Sequence, residues 1–127
     1  MSEDTKYTRQ FEVLKALYGR TQNGFVDWQP TAHDSTFTSE SGGFVLKLRA
    51  AYDSEYPEKP DYYLDIYSGN KKIETISHSM LRGESSQHPI VGNTPYGMFE
   101  KLFEMARRKA FNVDTALDKL LESLSED

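Results

Sequence analysis

The stretch Tyr62-Tyr-Leu-Asp-Ile-Tyr-Ser-Gly-Asn-Lys-Lys-Ile-Glu-Thr-Ile-Ser77 decides the fold. Two runs rich in β-branched and aromatic residues flank Gly69-Asn70, and a two-residue linker that tolerates positive φ is a hairpin signature. Such a loop also sets the register. It predicts Ser68 opposite Lys71, Tyr67 opposite Lys72, Ile66 opposite Ile73, Asp65 opposite Glu74, Leu64 opposite Thr75 and Tyr63 opposite Ile76. Leu64, Ile66 and Ile73 then gather on an inner face. Asp65 and Glu74 stand directly opposite each other on the outer face, where like charges repel and need compensation.

Working toward the N-terminus, Gly42-Gly43 turns into Phe44-Val-Leu-Lys-Leu-Arg-Ala-Ala51. Phe44, Leu46 and Leu48 share one face of that strand, and Val45, Lys47 and Arg49 share the other. Ser35 to Ser39 and Phe25 to Gln29 read as two further short strands, the second ended by Pro30. Residues 5 to 20 carry Tyr7, Phe11, Leu14 and Tyr18 at helical spacing, with Leu17 beside them. Gly19 or Gly24 stops this helix, with Asn23-Gly24 supplying turn chemistry.

Toward the C-terminus, residues 79 to 93 form a long loop with a Ser-Ser-Gln-His-Pro tip. Thr94 is a good N-cap and Pro95 a good first helical residue. Tyr96, Phe99, Leu102, Phe103, Ala106 and Ala110 make the buried stripe of that helix. Asn112 suits the left-handed position that ends it. Asp114 then opens a last helix whose stripe is Leu117, Leu120, Leu121 and Leu124. The prediction is a single α+β domain over residues 1–127. Its centre is an antiparallel β-meander of four to five strands. An N-terminal helix and two C-terminal helices pack mainly on one face.

Composition narrows the function. The chain of 127 residues has 15 basic and 20 acidic residues, a net charge of -5, and no cysteine. Without cysteine there are no disulfides, thiolate nucleophiles or thiolate metal sites. The net acidity argues against a nonspecific grip on nucleic acid, whose phosphates are held by excess Lys and Arg. The charge is uneven: after Asn112, five acids stand against Lys119 alone. The acidic, polar start lacks a signal-peptide pattern, and no apolar run approaches the roughly 20 residues of a membrane span. The expected setting is cytoplasmic.

The outer face of the predicted hairpin draws most attention. Lys47 and Arg49 of the preceding strand lie where they can compensate Asp65 and Glu74, and Tyr63, Tyr67 and Lys72 surround the group. A solvated salt-bridge lattice with tyrosines over aliphatic stems is the plain reading. The sharper reading is a binding surface, because exposed tyrosines beside arginine recur in interfaces. A divalent cation would need about six oxygens, and two carboxylates are a weak start. Five of the eight tyrosines (Tyr52, Tyr56, Tyr62, Tyr63 and Tyr67) crowd into residues 52 to 67, whereas the seven phenylalanines are spread like core anchors.

Other motifs carry less. His33, His78 and His88 lack metal-ligand spacing, and no nucleophile elbow or phosphate loop accompanies them. His78 or His88 beside a carboxylate would be needed for a hydrolase. The last two helices have helix-turn-helix spacing, but the final one presents Asp118, Glu122 and Glu126, the wrong charge for DNA. Arg107, Arg108 and Lys109 complement the end of the preceding helix and can pair with the acidic last one.

The string Ala106-Arg-Arg-Lys-Ala-Phe-Asn-Val-Asp-Thr-Ala-Leu-Asp-Lys-Leu-Leu121 resembles the C-terminal end of small bacterial α+β proteins of uncharacterised function. Val26-Asp27-Trp28, Phe37 and the strand pair ending in Ile73 to Ser77 extend the likeness. The resemblance implies a helix, a small sheet and C-terminal helices in this order, in a bacterial or phage setting. It implies no activity. Asn112 stands where glycine is more usual, and the loop from Ser79 to Asn93 is not covered.

The expectation is a non-enzymatic binding domain acting on a protein partner or a second copy of itself, with no cofactor and no metal. Its candidate residues are Lys47, Arg49, Tyr63, Asp65, Tyr67, Lys72 and Glu74. The alternative is a small-ligand protein that closes the 79–93 loop, with Arg82 and His88, over an anionic nucleotide or phosphorylated metabolite.

Overall fold

The computed structural model describes residues 2–52, 59–81 and 94–125, with side chains of the first helix described from Lys6 onward. The helix α1 (Ser2–Gln22) leads into β1 (Gln29–Pro30), β2 (Thr36–Ser41), β3 (Phe44–Ala51), β4 (Asp61–Ser68) and β5 (Lys71–Ser77). Two helices follow, α2 (Pro95–Ala110) and α3 (Val113–Leu124). The strands form one antiparallel sheet in the order β1-β2-β3-β4-β5, each paired with its neighbour in sequence. The expected α+β meander is thus present, with five strands.

Alternation along the strands builds the core. Leu46, Leu48 and Ala50 of β3 and Tyr62 and Leu64 of β4 point inward and are buried. Phe11, Leu14 and Leu17 of α1 and Met98, Phe99, Leu102, Phe103 and Ala106 of α2 cover them. Burying one such large side chain is worth about 1.5–3 kcal/mol, so this layer is the main source of stability. The start of α2 is built as expected: Thr94 Oγ1 accepts the Gly97 amide proton at 3.1 Å, and Pro95 occupies the first turn. Asn112 takes the left-handed conformation (φ 52°) between α2 and α3.

The hairpin register departs from the expectation. Gly69 takes positive φ (63°) at the first central position of the turn, and Tyr67 pairs with Lys72 as predicted. Beyond that pair a β-bulge intervenes, so Ile66 pairs with Glu74, Asp65 with Thr75 and Leu64 with Ile76. Ile73 is the extra residue and is 49% exposed, while Ile76 is 1% exposed in the core. Ile73 and Ile76 are three residues apart, so a regular strand of period two cannot turn both inward. The bulge resolves the conflict in favour of Ile76. It also separates Asp65 from Glu74, which the regular register would have placed as a repelling pair.

Three smaller differences follow from packing. The strand predicted over Phe25 to Gln29 shrinks to Gln29–Pro30, with Pro30 inside it at the sheet edge, where a missing amide proton costs no ladder bond. Trp28 is buried just before it, and its indole N–H donates to Thr21 Oγ1 at 3.1 Å. Among the phenylalanines, Phe25 and Phe44 are exposed and do not anchor the core, while the half-exposed Phe111 sets its ring edge-on against the buried Phe37 at 5.5 Å. Tyr62, from the crowded tyrosine segment, does: its ring lies parallel to Phe99 at 6.1 Å and tilts against Phe103 at 5.6 Å. Burial, then the nearby Tyr96 and Glu100, pushes the Tyr62 hydroxyl well above the ordinary tyrosine range.

Candidate functional site

With α1 and α2 on the inner side, the outer face of the sheet is open among the described residues. Its central feature is Asp65, which is only 4% exposed although no helix covers it. Side chains from the neighbouring strands close over it. Arg49 Nε of β3 donates to Asp65 Oδ2 at 2.7 Å, and Thr75 Oγ1 of β5 donates to Oδ1 at 2.7 Å. Lys72 Nζ lies 4.0 Å from Oδ1. Burial pushes this carboxyl up, but the two hydrogen bonds and the charges of Arg49 and Lys72 outweigh it and hold the group below the usual carboxylate range.

The tyrosines complete the face. The Arg49 guanidinium lies over the Tyr63 ring at 4.3 Å, and Lys47 Nζ lies over the Tyr67 ring at 4.9 Å. Tyr63 and Arg49 are direct cross-strand partners, and so are Lys47 and Asp65. Lys47 nevertheless leaves Asp65 to the diagonal Arg49 and takes Tyr67. Each cation therefore fixes one ring, and a ring held in place loses little freedom when a partner stacks on it. Lys47, Arg49 and Lys72 surround the one carboxylate at the centre of the face, and Glu40 and Asp61 lie further out on the same side.

Six of the nine predicted site residues are brought together here: Lys47, Arg49, Tyr63, Asp65, Tyr67 and Lys72. Glu74 is not among them. The bulge turns it to the inner side, where Gln10 Nε2 of α1 donates to its Oε2 at 2.9 Å. Arg82 and His88 lie outside the described residues, as do Tyr56 and most of the 79–93 loop. Thr75 was missed by sequence reasoning, and the bulge is the cause. The three-residue spacing of Ile73 and Ile76 was the available signal.

Elsewhere, His78 Nε2 meets Asp61 Oδ1 at 3.3 Å and its ring packs edge-on against Tyr96 at 4.9 Å. The nearby Ser77 hydroxyl pairs with Ser79, at 3.3 Å. The imidazole is thus oriented by a carboxylate, but the hydroxyl beside it in sequence is engaged elsewhere. Among the described residues, no group of three or more His, Asp or Glu gathers as a metal site. No helix among them is long and apolar enough to cross a membrane. A hollow of about 420 Å³ lies between α1 and the sheet, lined by Lys6, Arg9, Gln10, Val13, Ile66 and Glu74 among others. It is on the opposite side from Asp65 and the two tyrosines.

In comparisons with known proteins, no family model, no curated protein and no solved structure matches the chain.

Proposed function

We propose that the protein is a binding domain that holds a protein partner against the outer face of its sheet. The observation that carries this reading is the pair of cation-braced rings, Tyr63 under Arg49 and Tyr67 under Lys47, around the covered carboxylate of Asp65. Tyrosine and arginine supply the anchors of many interfaces, tyrosine because it buries a large ring with two rotating bonds and arginine because its planar guanidinium donates several hydrogen bonds and stacks on rings. Lys47, whose ammonium is in no ion pair among the described residues, favours an acidic group on the partner.

The edges of the sheet support a face rather than a strand-pairing mode. One edge, β1, is two residues long and contains Pro30. The other, β5, opens with Lys71 and Lys72 and carries the bulge. Short strands, proline, lysine and bulges all discourage addition of another strand. The flatness of a sheet face suits a macromolecule better than a small molecule, which needs a concave site.

Capture from a lysate of the source cells tests the reading. Wild-type protein should retain a partner, with retention weakening as salt rises. Lys47→Glu, Tyr63→Ala and Tyr67→Ala should each lose it while melting cooperatively. Undiminished capture by all three folded variants, or none by the wild type, overturns the proposal.

A further inference from the structure

Among the described residues, α3 is the one helix with no buried side chain. Val113, Leu117, Leu120 and Leu124 step by four, three and four residues. That is the d-a-d-a spacing of a coiled-coil seam, and Leu121 widens it. The four leucines are 46%, 52%, 64% and 72% exposed in chain order, so the seam becomes more open as the helix leaves α2. The base of the helix is fixed: Arg108 of α2 bonds Asp114, and Asn112 sets the turn. The leucines therefore project from a held base.

We propose that α3 is a self-association helix that pairs antiparallel with α3 of a second copy of this chain. Charge placement argues for the occupant. Asp118, Lys119 and Glu122 fall at the b, c and f positions, furthest from a paired helix. The flanking e positions hold Asp114 and Leu121, and the g positions hold Ala116 and Ser123. Asp114 is already paired with Arg108. An identical helix therefore meets no unpaired like charge beside the seam, despite the acidity of α3. Charged e and g positions are what select a different partner, and here they are almost absent.

Orientation follows from shape. In the antiparallel pair, Leu117 of one copy meets Leu120 of the other, and Val113 meets Leu124. The g positions then face each other as Ala116 against Ser123, two small side chains that let the backbones approach. A parallel pair would crowd both domain bodies at the same end, whereas the antiparallel pair separates them and sets the helix dipoles head to tail. The helix is 12 residues long, so the pair buries less than the roughly 1,200–2,000 Å² of a stable interface. The dimer should accordingly dissociate on dilution. The outer sheet face takes no part.

Sedimentation equilibrium of the full chain tests the proposal. The mass should rise from 14.6 kDa toward twice that value with increasing concentration. Leu117→Asp and Leu120→Asp, at half-exposed positions, should keep the helical spectrum and weaken association at least tenfold. The absence of native cysteine allows a direct reading of orientation. A mixture of Ala116→Cys and Ser123→Cys proteins should oxidise to the mixed dimer faster than either protein alone. A monomer at every concentration overturns the proposal, whether or not another protein's helix binds α3. So does unchanged association of both aspartate variants, or faster cross-linking of Ala116→Cys alone.

Discussion

Arg49 and Asp65 are bonded on the diagonal of the β3–β4 ladder, Nε to Oδ2 at 2.7 Å, although Lys47 is the residue directly opposite Asp65. The diagonal matters because guanidinium geometry lets Arg49 reach the carboxylate while its plane stays over Tyr63. Lys47 is left free to lie over Tyr67. Asp65 thus holds Arg49 in place over the Tyr63 ring.

Asp65→Asn should lower stability by about 1–3 kcal/mol, because the Arg49 guanidinium loses its counter-charge and one of the two oxygens that accept from Arg49 and Thr75 becomes an NH2 donor. Denaturant melts measure the loss. A change under about 0.5 kcal/mol, the range of ordinary surface substitutions, would show that the lattice over Asp65 is only solvated decoration.

The same carboxylate gives a pH dependence with a defined sign. Its folded pKa is lowered, so its contribution is complete above the unfolded value of about 4 and is lost as pH falls through the folded one. Glu104, held down mainly by its hydrogen bond from Arg107, adds in the same sense, though it is exposed and screened. Melting temperature should hold through neutral pH and fall on the acid side of about pH 4. The fall should be shallower in Asp65→Asn. Parallel acid profiles for the two proteins would sink the assignment.

Much of the architecture was legible because local signals agreed. Gly69-Asn70 marks the hairpin, Thr94-Pro95 the start of α2 and Asn112 its end, and each depends on backbone chemistry that few other residues supply. The bulge was less legible, since it is set by competition between Ile73 and Ile76 for one inward place, which only the packed core decides. The same limit explains Tyr62 and Phe111. Residue type says each is large and apolar, but which ring is enclosed beside Phe99 and which stays half-exposed against Phe37 depends on where α2 lies. At the site, the basic and aromatic members were readable from alternation in β3 and β4. Glu74 was misplaced and Thr75 overlooked for the one reason that β5 shifts by a residue.

Deletion of Ile73 offers a sharp test of that shift. Removing the extra residue leaves Tyr67 opposite Lys72, Ile66 opposite Glu74 and Asp65 opposite Thr75, so the ladder becomes regular without turning any side chain over. The deletion should fold and keep stability within about 1 kcal/mol, as expected where no core atom is lost. In a regular strand the same deletion would turn every later residue to the wrong face. An unfolded product would therefore refute the bulge.

Gln10 and Glu74 form a less comfortable pair. Gln10 is 4% exposed, and its Oε1 is buried with no hydrogen-bond partner among the described residues, while its Nε2 serves Glu74. Gln10→Leu alone should destabilise by about 1–2 kcal/mol, because Glu74 loses its donor. Gln10→Leu combined with Glu74→Leu should recover most of that loss, since Ile66, Ile76 and Val13 already surround the pair with apolar surface. Chemical denaturation of the two variants measures the coupling, and strict additivity of the two substitutions would show that the residues act independently.

The position of Trp28 has a practical consequence. It is the chain's one indole, enclosed by the core and tied to Thr21 at the end of α1. Its fluorescence should be blue-shifted in the native protein and move red on unfolding. Changes at α3 or on the outer sheet face should leave it dark to the event. Indole emission therefore reports the integrity of the interior alone and is blind to contact at the open side of the sheet.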